Sequence, residues 1–491
     1  MLKRILFTLP AAVTIVILFA ACTPVEGDIK SIRQGAEVSG ESYTVTFNIN
    51  GAGGTAPSPQ TIKAGSSVIL PGGNGFFRTG LTFGGWNINP SGTGINYNAG
   101  AAYSPFDSIT LYAKWDSIYE GEVTEGDFTY RDYSAWMTVT GYTGTGGNVT
   151  IPAGVNGKPI TGITSGSNND WWDSDGVFAE KNITSVTIPG SVTYIGDGAF
   201  FRNQLSSVTI PNNVTYIGEN AFFGNQLSSV IIPNSVISIE ARAFGHNQLS
   251  SITIGYNVTD IGYWAFENNL LTSVAIPGSA TFIAGSAFAN CMYLTEITVA
   301  AGNPAYSSAE GVLYNKNKTI LITWPAGKTG AVTIPNTVTS IGYAAFHGNQ
   351  LSNVTIPNGV TEIGRYAFDD NRLTVISIPD SVTEIGDEAF AFNQLISITI
   401  PNNITSIGYR VFSYNRLTSV IIPISVTNIE EGAFYDNELT SITIGANVTL
   451  KGGYYGSFGN NFEYTYNTIY SKAAGTYTRP DTYSSTWTKV N

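Results

Sequence analysis

Phenylalanines recur every 22 residues along most of the chain, at Phe178, Phe200, Phe222, Phe244, Phe266 and Phe288, and again at Phe346, Phe368, Phe390, Phe412 and Phe434, with Phe458 after 24. Between them the apolar positions keep fixed offsets: Leu205, Val208, Ile210, Val214, Ile217, Ala221 and Phe222 in one period, repeated from Leu227 to Phe244 and from Leu373 to Phe390. The period is neither the 3.6 of a helix nor the 2 of a lone strand. It is that of a solenoid, in which each coil buries its apolar face only against its neighbours. Within a coil, Ser207-Val208-Thr209-Ile210 alternates polar and apolar and reads as the strand, which Pro211 ends because it has no N–H to donate. Stacked coils then form a parallel sheet. Seven buried apolar side chains at about 1.5–3 kcal/mol each offset much of the cost of ordering a coil, but a coil without neighbours is not stable.

A column of asparagines, Asn203, Asn225, Asn247, Asn349, Asn371, Asn393, Asn415 and Asn437, stands just before the leucines. It reads as a ladder that satisfies backbone groups in a turn. The repeat LSSVTIPNNVTYIGENAFFGNQ resembles the leucine-rich repeat of the BspA type, over roughly residues 125–460. In that family the usual repeat carries Cys where these coils carry Asn. The coil Phe288-Ala289-Asn290-Cys291-Met292-Tyr293-Leu294 keeps it, which makes Cys291 a buried turn residue. The gap from Phe288 to Phe346 is two periods plus 14 residues, and the extra segment, Asn303 to Pro325, resembles a hairpin-bearing variant of the repeat. The expected fold is thus a mainly β repeat protein: a leucine-rich-repeat solenoid with a parallel sheet, preceded by a small β-grasp-like domain.

That domain is residues 42–117. Tyr43-Thr44-Val45-Thr46-Phe47 alternates like a half-buried strand, and further strand candidates lie at 61–63, 67–70, 81–86 and 109–115. YTVTFNINGAGG, TFGGWN and SITLYAKW together resemble the Listeria–Bacteroides repeat, which implies a stalk or spacer of bacterial surface proteins. Residues 118–176 read as an N-terminal cap with a degenerate first coil whose strand is Val149-Thr150-Ile151-Pro152. Residues 177–458 are the solenoid, with its insertion near 300–330, and 459–491 a C-terminal cap or tail. Caps are required because a terminal coil would leave its apolar face wet.

The first residues read as an export signal over 1–21: Lys3 and Arg4, then the apolar run Ile5 to Ala21. Phe19-Ala20-Ala21-Cys22 resembles a lipoprotein signal, which implies lipidation at Cys22, with the polar residues 22–41 as a tether. Cys291 is then the only other thiol, so no intrachain disulfide forms. No later run reaches the roughly 18 apolar residues a membrane span needs. The localisation expected is exported, at the cell envelope, lipid-anchored and surface exposed.

Charged residues are 12% of the chain, and the net charge is −12. No basic stripe is available to neutralise phosphates, so nucleic acid is not an expected partner. A 43% hydrophobic content argues against disorder. Catalysis needs titratable groups brought together, and His246 and His347, about 100 residues apart, are the only histidines. No zinc spacing, no Ser-His-Asp order and no Gly-rich loop leading into a helix is present. The expectation is a binding protein, not an enzyme, with no cofactor and no metal.

Two places could bind. The turns before Ala-Phe carry Tyr263, Trp264, Tyr343, Arg365, Tyr366, Tyr409 and Arg410 along one edge, in contrast to a strand face of small residues such as Ser207, Ser229, Thr209 and Thr253. The patch Asp170, Trp171, Trp172, Asp173 and Asp175 could hold calcium, stack a sugar or simply cover the first coil. The resemblance to BspA-type proteins implies a surface protein whose partner is a macromolecule, a host protein, host cell or other bacterium; a monomer is expected. A glycan ligand and a passive envelope role remain the alternatives.

Overall fold

A computed structural model describes residues 42–490 except 64–65, 79–80, 93–94, 106–107, 118, 134, 165–175, 331, 454–455 and 460. The signal segment, Cys22, the tether and the patch Asp170, Trp171, Trp172, Asp173 and Asp175 lie outside the described residues. The chain divides into two compact units, one ending at residue 118 and one beginning at residue 119.

The first unit is a five-stranded sheet in which Ser42–Asn48 runs parallel to Ile109–Ser117. Gln60–Lys63 and Leu81–Asn87 flank that pair antiparallel, and Asn96–Tyr97 forms the far edge. The alternation of Tyr43 to Phe47 explains it: Val45 and Phe47 face the core, where Trp86 is fully buried. The Trp86 ring packs 4.8 Å from that of Phe47, and its indole N–H donates to the Pro71 carbonyl at 2.8 Å, the partner a buried indole needs.

The second unit begins with an antiparallel meander, Tyr119–Glu125, Phe128–Tyr133 and Trp136–Tyr142. The last of these pairs in parallel with Lys158–Ile163, which starts a ladder through Tyr194–Ile195, Tyr216–Ile217, Ser238–Ile239, Asp260–Ile261 and Phe282–Ile283. This corrects the strand assignment made from the pattern. The ladder that runs from coil to coil is the dipeptide ending in Ile217, and Ser207–Ile210 is not a strand. The equivalent stretch pairs only in places, as at Ser229–Ile231 with Ser251–Thr253 and Ser419–Ile421 with Ser441–Ile444. The proline that ends that stretch removes a donor from most coils. In most coils the dipeptide has a threonine before it and a glycine after it, and both extend its ladder. Thr215 donates its N–H to the Thr193 carbonyl at 2.8 Å and its hydroxyl to the same oxygen at 3.1 Å, and the Gly218 N–H reaches the Ile195 carbonyl at 2.8 Å.

Inside, the phenylalanines form stacks with neighbouring ring centroids 4.9–5.7 Å apart. The ladder asparagines are buried, except Asn437, which is half-buried, and each joins two coils. The Asn225 Oδ1 accepts from the Leu205 N–H at 3.0 Å, and its Nδ2 donates to the Phe200 and Phe222 carbonyls at 2.9 and 3.1 Å. Asn269 belongs to the same column. Cys291 takes the asparagine's place, with Sγ 3.3 Å from the Phe266 carbonyl. Burial pushes its thiol up to about 12, which leaves it unreactive at neutral pH.

The insertion is a hairpin, Tyr306–Ala309 with Val312–Asn315, antiparallel to Ile320–Thr323. It divides the interior. Leu313 packs into a core that reaches back to Tyr130, while Val312 and Tyr314, on the other face of the same strand, pack into a second core that runs to Trp487. The first ladder stops here, because the Ile283 N–H donates to the Tyr306 hydroxyl at 2.8 Å instead of to another strand. Trp324, 22 residues before Phe346, then restarts the ring stack at 5.6 Å. At the C-terminal end Ser441–Ile444 pairs antiparallel with Gly475–Thr478, and Phe462, Tyr466, Tyr477 and Trp487 close the second core.

Candidate binding edge

Each regular coil turns between its ladder isoleucine and its phenylalanine. The residue two before the phenylalanine is left-handed: Asn220, Arg242, Trp264, Ala344, Tyr366, Glu388 and Arg410 all have φ between 51° and 58°. That conformation is strained for a residue other than glycine, and it projects a variable side chain from the turn of these seven coils. The position before it holds Tyr263, Tyr343, Arg365 and Tyr409.

The insertion brings four of these aromatic residues together. Its coil passes from Leu321 to Trp324 in three residues, where the next coil takes five from Ile341 to Phe346. The two turn residues are therefore missing, and Gly285 of the preceding coil abuts the following turn. A Cβ on Gly285 would lie 1.9 Å from the Tyr343 carbonyl oxygen. With no side chain between them, the Tyr263 and Tyr343 rings meet at 5.2 Å and 73°. Trp264 and Tyr366 lie 6.1 and 5.6 Å from Tyr343, each nearly perpendicular to it, the edge-to-face geometry that aromatic quadrupoles favour. Phe282, from the ladder column, packs on Tyr263 at 6.1 Å.

Cationic side chains fix the rim. The Arg242 guanidinium stacks on Trp264 at 5.1 Å and reaches Glu267 at 3.8 Å. Arg365 stacks on Tyr366 at 4.7 Å, donates to its hydroxyl at 2.9 Å and lies 3.6 Å from Glu388. The Tyr366 hydroxyl donates in turn to Glu388 at 2.9 Å. Burial, then the Glu388 hydrogen bond and charge, raise the Tyr366 phenol, and burial raises that of Tyr343 as well, so both remain neutral donors at physiological pH. Tyr409 and Arg410 form a separate pair two coils on, 5.1 Å apart.

Arg242, Phe282 and Glu388 belong to the cluster and were not singled out from the sequence. Comparing turn columns would have found two of them, since Arg242 and Glu388 occupy the Trp264 and Tyr366 position in neighbouring coils; Phe282, in the ladder column, carries no such signal. The strand face is also less uniform than the expectation of small residues: Ile231, Val375, Ile396 and Ile421 are exposed on it.

The two histidines sit in different pairings. The ring of His246 lies 4.8 Å from that of Phe223, and its Nε2 is 3.5 Å from Glu267. Desolvation, then the charges of Arg242 and Arg202, lower its pKa. The His347 Nδ1 lies 3.0 Å from the Asp369 carboxylate. Desolvation opposes protonation there, but the adjacent Asp369 carboxylate, with the charges of Asp370 and Glu267, outweighs it and leaves the pKa raised above 6.5. A raised folded value makes the contribution complete below pH 6.5 and lost as pH rises through the folded pKa. The unfolding midpoint should therefore fall as pH is raised from 6 towards 8, and His347→Gln should reduce that slope; equal slopes in thermal scans of the two proteins would contradict the pairing. Among the described residues no group of three or more His, Cys, Asp or Glu side chains is placed to hold a metal. No helix among them is long and apolar enough to cross a membrane.

A ring-stacked, asparagine-laddered β-solenoid with a variable turn edge defines a leucine-rich-repeat protein. Residues 174–295 and 327–460, more than half of the chain, match the BspA type leucine rich repeat region in six copies, and the chain belongs to that family. Residues 43–114 match the Listeria-Bacteroides repeat domain. No curated protein matches the chain. Among solved structures, the pneumococcal vaccine antigen PcpA is similar, at 21% identity with a TM-score of 0.50 over 68% of this chain and 92% of that one. A leucine-rich repeat protein from Eubacterium ventriosum is similar at 25% identity and a TM-score of 0.49, over 69% and 94%. A leucine rich cell surface protein from Faecalibacterium prausnitzii is similar at 28% and 0.46, over 67% and 90%.

Proposed function

We propose that this is an exported, lipid-anchored surface protein that binds a macromolecule through the turn edge centred on Tyr263, Trp264, Tyr343, Arg365 and Tyr366. The observation that carries the reading is the ring cluster at the insertion. Tyr, Trp and Arg are the residue types that dominate binding energies at interfaces, and here they are gathered, half-exposed and held in place by packing, so little ordering cost remains to be met on binding. Much of the strand face is Ser and Thr. Lys3, Arg4, the apolar run to Ala21 and Cys22 support export and lipid attachment. Residues 22–41 then serve as the tether and 42–117 as a spacer that carries the solenoid away from the membrane.

Protease shaving of intact cells with mass spectrometry tests display and anchoring together. Peptides from residues 42–491 should be released, and the mature N-terminal peptide should begin at Cys22 with a lipid adduct. An unprocessed Met1 peptide, or release only after lysis, would overturn the proposal.

A further inference from the structure

We infer that the ligand of this edge is a neutral glycan whose pyranose rings lie against Tyr263, Trp264 and Tyr343. The inference rests on the binding edge proposed above and names the chemistry of what it takes.

Size comes first. Tyr263 and Phe282 are 41% and 42% exposed, and the other rings less. With about 150–250 Å² per aromatic side chain, the open apolar surface is on the order of 300 Å². A folded protein partner covers about 800 Å² on each side and would have to extend well beyond the cluster, whereas a few sugar rings fit on the cluster itself.

Charge comes second. Arg242 and Arg365 each already face a carboxylate, at 3.8 and 3.6 Å. The rim therefore has no unbalanced cation to draw a phosphate, a sulfate or a uronate. It offers instead the half-exposed guanidinium of Arg365 as donor and the hydroxyl oxygen of Tyr366 as acceptor, both held in place by Glu388 behind them. A sugar hydroxyl, donor and acceptor at once, matches such a set, and the apolar C–H face of a pyranose matches a ring face.

Spacing comes third. Tyr263 to Tyr343 and Tyr343 to Tyr366 are 5.2 and 5.6 Å between centroids, close to the advance per residue of an extended polysaccharide. Because Tyr343 stands at 73° to Tyr263 and 72° to Trp264, the ring faces do not line up, and the three rings form a corner for one or two sugars instead of one stacking face per sugar.

Affinity electrophoresis of the full chain in gels containing mixed-linkage β-glucan, xyloglucan, mannan or soluble starch tests this, with Trp264→Ala and Tyr343→Ala as variants. Both substitutions preserve the coil, because Ala344 and Ala241 hold the same positions in other coils of this solenoid. At least one neutral polymer should retard the protein, each variant should weaken that retardation at least tenfold, and alginate and heparin should have no such effect. No retardation by any of the four, retardation that both variants retain, or tighter binding of a proline-rich peptide would overturn the inference. Adhesion of the same variants to cells and matrix separates the two failures. If adhesion is lost without any neutral glycan binding, the glycan falls and the edge stands; if adhesion is kept, the edge itself falls.

Discussion

Replacing Phe368 by alanine should cost about 3–5 kcal/mol and should destabilise the C-terminal core alone. Phe368 is fully buried, its ring 4.9 Å from Phe346 and 5.3 Å from Phe390, so truncation removes two stacked contacts and leaves a cavity that the coil frame is too regular to collapse into. In repeat proteins stability is a sum of coil and interface terms, and a break in the core makes a natural boundary between cooperative units. The hairpin supplies that break, because the alternating side chains of Val312–Asn315 serve different cores. Hydrogen exchange resolved by segment should show protection falling across residues 320–478 in Phe368→Ala while residues 130–297 keep theirs. Phe222→Ala should give the mirror image. An equal loss in both halves from either substitution would mean that the hairpin joins the cores instead of dividing them.

Asn393→Ala should come next in severity, at about 2–4 kcal/mol. The substitution strands the Leu373 N–H, which now donates to Asn393 Oδ1 at 3.0 Å, and takes the Nδ2 donor away from the carbonyls of Phe368, Phe390 and Ala391 at 2.8, 3.3 and 3.1 Å. Buried backbone groups left without partners are costly because no water replaces them. Asn393→Cys should cost less, since Cys291 shows that a thiol in this column still reaches the carbonyl of the coil before it. Urea midpoints in the order wild type, Cys, Ala would support the ladder. An Ala variant as stable as wild type, or less harmed than Cys, would contradict it.

The solenoid and its asparagine ladder were legible in the sequence because both repeat at the same period and differ in kind from their neighbours. The ladder through Tyr216–Ile217 was not, because two residues per coil cannot show alternation and Ser207-Val208-Thr209-Ile210 shows it well. The place of Trp324 in the ring stack was not legible, because Trp-Pro replaces Ala-Phe at the end of the insertion, although counting 22 back from Phe346 reaches it. The edge residues were legible as a row of aromatic and cationic positions. Their meeting was not: it depends on an insertion coil two residues short in its turn and on Gly285 beside it, and neither has consequences until the coils are stacked. The split into the cluster and the separate Tyr409–Arg410 pair follows from the same geometry.

The central claim is that binding resides in that cluster. Adhesion of the purified full chain to host matrix, host cells and neighbouring bacteria should therefore be compared between a Tyr263→Ala, Trp264→Ala, Tyr343→Ala triple variant and a Tyr409→Ala, Arg410→Ala variant of equal stability. The account predicts at least a tenfold loss for the first and wild-type adhesion for the second; adhesion retained by the first, or lost equally by both, would contradict it.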